Sequence, residues 1–318
     1  MTQALDAYVT EALFDGDEAC FALGDGSVRW DGGAGQAAHD GAILAAVAHP
    51  SGEGVISGGD DGRLAWSRRD GTQTLAEIPG AWIDALAASP TSGLIAFAAG
   101  REVQVRDVAD ARFERKFSHE KSVAGLAFDA KGRRLAAATY SGVALWWARI
   151  ADQKPSTMRW AGSHIAAAFS PDGRFVVSSM QENALHGWRL ADARDMRMGG
   201  YPAKVKSFAF VDGGAWLATA GANGVVLWPF AGADGPMGKQ AAEIGVDESA
   251  LVTRVAGDGS LLAAGLDDGR VWACDLASQV LSPLKAEKGP PITALAMQGA
   301  RIAWGDEMGG AGIGEFGA

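Results

Sequence analysis

Short apolar runs recur along the chain, each alternating large with small or polar positions and each ending at a turn residue. One set comprises ILAAVAH (43–49), IDALAAS (83–89), VAGLAF (123–128), IAAAFS (165–170), KSFAF (206–210) and ITALAM (292–297). A second set is EGVISGG (53–59), RLAAAT (134–139), RFVVSS (174–179), WLATAG (216–221) and LLAAG (261–265). A third carries an aromatic, as in SVRW, RLAW, VALWW, ALHGW, VVLW and RVWA. A weaker and more polar fourth run follows, for example TQTLAEI (72–78) or ARFERKF (111–117). Period-two alternation over a few residues, bounded by Gly, Pro, Asn or Asp, predicts strands. Each unit therefore reads as four short strands, and nothing in the chain requires a long helix.

Two turn markers keep these units in step. A turn glycine follows the first run of each unit, at Gly16, Gly52, Gly93, Gly132, Gly173, Gly213, Gly259 and Gly299, with spacings of 36 to 46 residues. About ten residues later comes a second tight turn, at Asp25-Gly26, Asp61-Gly62, Ser141-Gly142, Asn223-Gly224 and Asp268-Gly269. Gly100, Asn183 and Gly310 hold the comparable place in the other units. An interval near ten residues fits one strand with its connections. A fixed period with two phased markers is the signature of a repeat architecture.

The first strands are rich in alanine and the third strands in tryptophan. Strands that converge on an axis leave little room between neighbouring sheets, whereas sheets that diverge outward leave gaps for large rings. The gradient fits a ring of sheets better than a flat stack.

In these motifs the chain resembles the WD-repeat family over roughly residues 5–316. That family has an SPDG-like first turn, a DG turn, a Trp closing the third strand and a His opening the next unit. The resemblance implies an all-β fold, a WD-repeat-like β-propeller of about eight four-stranded antiparallel blades, with seven as the alternative. The whole chain, 1–318, is expected to form a single propeller domain.

The last unit, ARIAWGDEMGGAGIGEF (300–316), ends without a fourth strand, so the N-terminal segment before Tyr8 is expected to supply it and close the ring. Closure removes exposed sheet edges. The first unit is short between Trp30 and His39, which predicts a truncated outer strand.

Departures from the family pattern are equally visible. Trp66 follows Asp61, and Trp228 follows Asn223, by five residues rather than the family's usual six; Trp147 keeps the usual spacing after Ser141. The family's His position holds His39 and His119, but elsewhere Pro79, Trp160, Tyr201, Asp247 and Glu287. Only His39, Ser57, Asp61 and Trp66 supply all four residue types of the family's Asp–His–Ser–Trp hydrogen-bond network.

Composition agrees with many tight turns around a sizeable core. Glycine is 44 of 318 residues, about twice the usual share, and hydrophobic residues are 48% against 21% charged. Cys20 and Cys274 lie in apolar runs and suggest buried thiols rather than a disulfide framework. The N-terminus shows no signal peptide, and no stretch is long enough for a transmembrane helix, so a cytoplasmic protein with no membrane contact is expected. The net charge of −10 argues against a nucleic-acid partner. A monomer is expected.

No catalytic, cofactor-binding or metal-binding residue is assigned. The glycine-rich GGAGIGEFG (309–317) has no following helix and reads as a terminal hairpin. His39, His49, His119, His164 and His186 lack metal-ligand spacing. Asp15 and Asp17 read as turn residues, as do the paired carboxylates Asp60-Asp61 and Asp267-Asp268.

What remains is surface. In the propeller the resemblance implies, the DG turns and the segments leading into the first strands share one rim. That rim carries Asp25, Asp60, Asp61, Glu182, Asp267 and Asp268, with the rings of Trp82, His119, Trp160 and Tyr201 near the channel mouth. Carboxylates steer association and aromatics supply binding hot spots. The expected function is a non-catalytic protein–protein interaction scaffold or adaptor, with a protein or peptide partner that would be basic. The alternative is an enzyme or a small-ligand or metal sensor with its site in the central channel.

Overall fold

The computed structural model describes residues 2–317. Among them the secondary structure is all β, apart from one 3-10 turn at Asp212–Gly214. The eight marker glycines after the first strands all take positive φ, between 56° and 79°. Side-chain-bearing residues resist that region, which is why glycine recurs there.

The chain divides into two compact units, one of Met1–Phe14, Ala19–Phe21 and Gly199–Ala318, the other of Asp15–Glu18 and Ala22–Met198. The first unit contains three four-stranded antiparallel sheets. One runs Phe208–Val211, Trp216–Thr219, Val225–Pro229, Ala242–Ile244, and the next Val252–Asp258, Leu261–Leu266, Val271–Asp275, Ser282–Lys285. Between these two pack the buried Val211, Val225, Leu227, Val252, Leu262 and Trp272. The third sheet is ordered Thr2–Ala4, Gly310–Glu315, Arg301–Asp306, Ile292–Gln298. Its edge strand comes from the N-terminus, as expected, with Gln3 opposite Ala311 and Ala4 opposite Gly310.

Neighbouring sheets approach closely at their inner strands. A Cβ on Gly265 would sit 2.5 Å from the Cγ2 of Ile292, so only glycine admits the fully buried Ile292 there.

In the second unit, Ile43–Ala48, Val55–Gly59, Arg63–Arg68 and Gly71–Glu77 form one sheet, and Ile83–Ser89, Leu94–Ala99, Glu102–Asp107 and Glu114–Ser118 another. Ile56, Leu64, Ile83, Ile95 and Phe97 form the core between them. A further sheet of the chain runs Val9–Asp15, Glu18–Leu23, Ser27–Trp30, Gly35–Ala37, and its last strand has the expected short length of three residues.

The expectation of about eight four-stranded blades is corrected here. Among the described residues the hydrogen-bonded sheets number seven, six of four strands and one of six. Counted by continuous sheet, this gives the alternative of seven blades. The six-stranded sheet carries two sequence repeats, through the 14-residue strands Arg134–Trp147 and Ser156–Phe169. The first half of Arg134–Trp147 pairs with Val123–Phe128 and its second half with Ser156–Arg159. The two halves lie antiparallel, since the Ala148 N–H bonds the Arg133 carbonyl at 2.8 Å. Strand Ser156–Phe169 then continues into the next repeat and pairs with Phe175–Met180. Between the two repeats the pairing shifts register, from Gly142 opposite Arg159 to Tyr140 opposite Ser163.

Candidate functional site

Each sheet begins its first strand and ends its second at the same end, because the two are antiparallel: Ile83 pairs with Ala99, Val123 with Thr139 and Val252 with Leu266. The carboxylates and rings singled out in the sequence lie at these ends, and most of the carboxylates are already engaged.

In the second unit, Asp25 caps its own turn, accepting from the Ser27 N–H at 2.9 Å and the Ser27 hydroxyl at 2.7 Å. Asp61 accepts from the Arg63 N–H at 3.0 Å and the Asp40 N–H at 3.1 Å, and meets the His39 Nδ1 at 2.9 Å. Burial raises the Asp61 carboxyl, but these hydrogen bonds outweigh it and hold the group below the usual carboxylate range. His39 reaches on through Nε2 to the Ser57 hydroxyl at 2.9 Å. The Asp–His–Ser part of the expected network therefore forms. Trp66 does not join it, because its indole N–H donates to the Glu53 carbonyl at 2.8 Å. Asp60 and Glu182 remain exposed, the latter only 3.4 Å from the Ser163 N–H.

The rings divide by burial. Trp82 is 63% exposed. Trp160 stacks on His186 at 3.9 Å and covers it, leaving that imidazole 0% exposed and its pKa lowered to about 4 by burial. His119 accepts the Trp146 indole N–H at 3.0 Å, and burial lowers its pKa. Although Trp147 has the family's usual spacing after Ser141, it is Trp146 that is buried and Trp147 that is exposed. Tyr140, which the sequence did not mark, is 56% exposed beside a cleft of about 380 Å3. His119, Glu120, Lys121, Pro155 and Arg159 line that cleft.

In the first unit Tyr201 is buried, not a surface ring. Its hydroxyl meets the Thr219 hydroxyl at 2.7 Å and accepts the Trp228 indole N–H at 2.6 Å. Burial pushes its phenol up to about 12. Tyr201 thus bridges the Trp228 indole to the Thr219 hydroxyl, at a position where the WD-repeat sequence pattern has histidine. Asp267 accepts the Leu251 N–H at 2.9 Å. Asp268 is paired with Arg270 at 2.8 Å and Lys288 at 3.2 Å. Asp247, in another of the family's histidine positions, pairs with Arg270 at 2.7 Å. Of the acidic residues read from the sequence, Asp268 is thus ion-paired, Asp25, Asp61 and Asp267 are hydrogen-bonded within the protein, and Asp60 and Glu182 stay exposed.

The remaining polar candidates have structural work. Asp15 accepts from the Trp30 indole N–H at 2.8 Å and the Gly54 N–H at 2.6 Å. His49 meets Ser51 and stacks on Trp66 at 4.3 Å, and His164 meets Ser178 at 2.6 Å. Cys20 and Cys274 are buried, and burial raises the Cys274 thiol to about 11. Among the described residues no group of three or more His, Cys, Asp or Glu is placed to hold a metal ion. No helix among them is long and apolar enough to cross a membrane.

These sheets, with their neighbouring cores and repeated turns, define a β-propeller. A solved structure of similar fold is the crystal structure of the computationally designed Ika8 protein, with a TM-score of 0.79 and 18% identity. The likeness covers 99% of this chain and 98% of that one. No protein-family model matches the sequence, and no curated protein matches it either.

Proposed function

We propose that the protein is a non-catalytic scaffold or adaptor of the WD-repeat kind, and that a protein or peptide partner docks at the turn ends of the second unit. The exposure of Trp82 at 63%, with Tyr140 at 56%, carries this reading. Leaving such rings in water forgoes about 1.5–3 kcal/mol each relative to burial. Large aromatics are also enriched where binding energy concentrates. The cleft beside Tyr140 offers a recess for partner side chains, and the exposed Asp60 and Glu182 favour basic groups on the partner. The bridge from Asp61 through His39 to Ser57 supports the WD-repeat assignment.

The test uses wild type and the double variant Trp82→Ala/Tyr140→Ala as bait in native extract, after circular dichroism has shown the same fold for both. Proteins retained by wild type and lost from the variant support docking through these rings. Identical captures overturn it.

A further inference from the structure

Lys204, Lys206 and Arg254 lie far apart in sequence yet line one cleft of about 270 Å3 in the first unit. Lys204 and Lys206 come from the segment before Phe208–Val211, and Arg254 from the strand Val252–Asp258. Tyr8, Thr253 and Thr293 form other parts of the wall.

Among the described residues none of the three cations has a carboxylate within ion-pairing distance. The Arg254 Nη1 donates to the Thr253 carbonyl, at 3.0 Å. Two carboxylates, Asp267 and Glu307, share the lining. Asp267 is occupied by the Leu251 N–H, and Glu307 is exposed to solvent. Glu11 also acts on Arg254 electrostatically. Burial, opposed by Arg254, pushes the Glu11 carboxyl up to about 7, so at neutral pH it offsets that guanidinium only in part.

Cations gathered in a concave site without ion-pair partners concentrate anions there. A guanidinium adds the planar pair of donors that fits an oxyanion. The two threonine hydroxyls are spent inside the protein, Thr253 on the Ile292 carbonyl at 2.7 Å and Thr293 on the Val9 carbonyl at 2.6 Å. Recognition must then come from the cations. We infer that this cleft is a binding site for the oxyanion group, carboxylate or phosphate, of a small ligand. The site stands on the first unit alone and goes beyond the docking reading, which rests on the second.

Isothermal titration calorimetry with sodium phosphate and with sodium succinate, against sodium chloride at matched ionic strength, tests it. Saturable binding of at least one probe is expected, with a dissociation constant below about 1 mM. Binding should weaken about tenfold or more in Arg254→Gln and in Lys204→Ala, because a charge-assisted contact of this kind contributes at least that much. Should Arg254→Gln fold poorly, Lys204→Ala decides alone. Trp82→Ala/Tyr140→Ala should bind both probes as wild type does. Saturation by phosphate alone or by succinate alone identifies which oxyanion the cleft takes. Absence of saturable heat from both, or binding unchanged in both cation variants, overturns the site.

Discussion

The carboxylate of Asp61 and the Nδ1 of His39 meet at 2.9 Å with the imidazole fully enclosed. A carboxylate can only accept, so Nδ1 donates to Asp61, and in the neutral imidazole Nε2 is then the acceptor for the Ser57 hydroxyl. The chain ties the segment before one strand to the turn and interior of its sheet. His39→Ala leaves the fully buried Ser57 hydroxyl without this partner and should cost about 1–3 kcal/mol, read as a lower urea midpoint. Because the folded Asp61 carboxyl lies below its unfolded value, its contribution is present above that value, near pH 4. It is lost as pH falls through the folded value. The gap between wild type and Asp61→Asn should therefore be wide at pH 7 and shrink in acid; a gap independent of pH would contradict the assignment.

Tyr201→Phe removes the acceptor of the Trp228 indole N–H and the partner of Thr219, at a cost of about 1–2 kcal/mol. The folded phenol titrates near 12, above its unfolded value. Its share of stability is thus intact below about pH 10 and falls as pH rises toward 12. Alkaline melting curves should show that decline in wild type and a smaller one in the variant.

Glu11 carries the opposite consequence for a carboxyl. Its folded pKa, about 7, exceeds the unfolded value near 4, so the protein loses stability as pH rises between them. Glu11 keeps a partly exposed surface although protein atoms crowd it, and solvent screening reduces the effect. Glu11→Gln should raise stability at pH 8 by about 1–2 kcal/mol and change it little at pH 5, as measured by denaturant unfolding at both values.

Deleting residues 2–5 strips the outer strand from Gly310–Glu315 and exposes its edge. The Leu5 N–H bond to the Gly309 carbonyl, 2.8 Å, is lost with it. The melting temperature should fall and aggregation rise, since an open edge invites pairing with another chain. Thermal scans with light scattering check both; an unaltered scan would show that this strand is dispensable.

Much of the fold was legible because its determinants are local. A glycine forced to positive φ announces its own turn, as at Gly52 and Gly259, and alternation announces a strand, as at Ile83–Ser89. The network from Asp61 through His39 to Ser57 was legible as a set of residue types, although the place of Trp66 was not. Which of two adjacent rings turns inward depends on pairing register, and a one-residue shift reverses every side chain. Trp146 rather than Trp147 faces His119 for that reason, and only the paired strands decide it.

The sequence by itself determined the strands, the turns and the repeat, since each depends on a few neighbouring residues. Tertiary structure alone decided that two repeats share a ladder across Tyr140 and Ser163, that Tyr201 is spent inside on Thr219 and Trp228, and that Lys204, Lys206 and Arg254 meet at one cleft. The physical reason is range. Turn geometry and alternation act over a few residues of backbone, whereas burial, charge pairing and cleft lining are set by side chains that sequence separates by tens of residues and folding brings into contact.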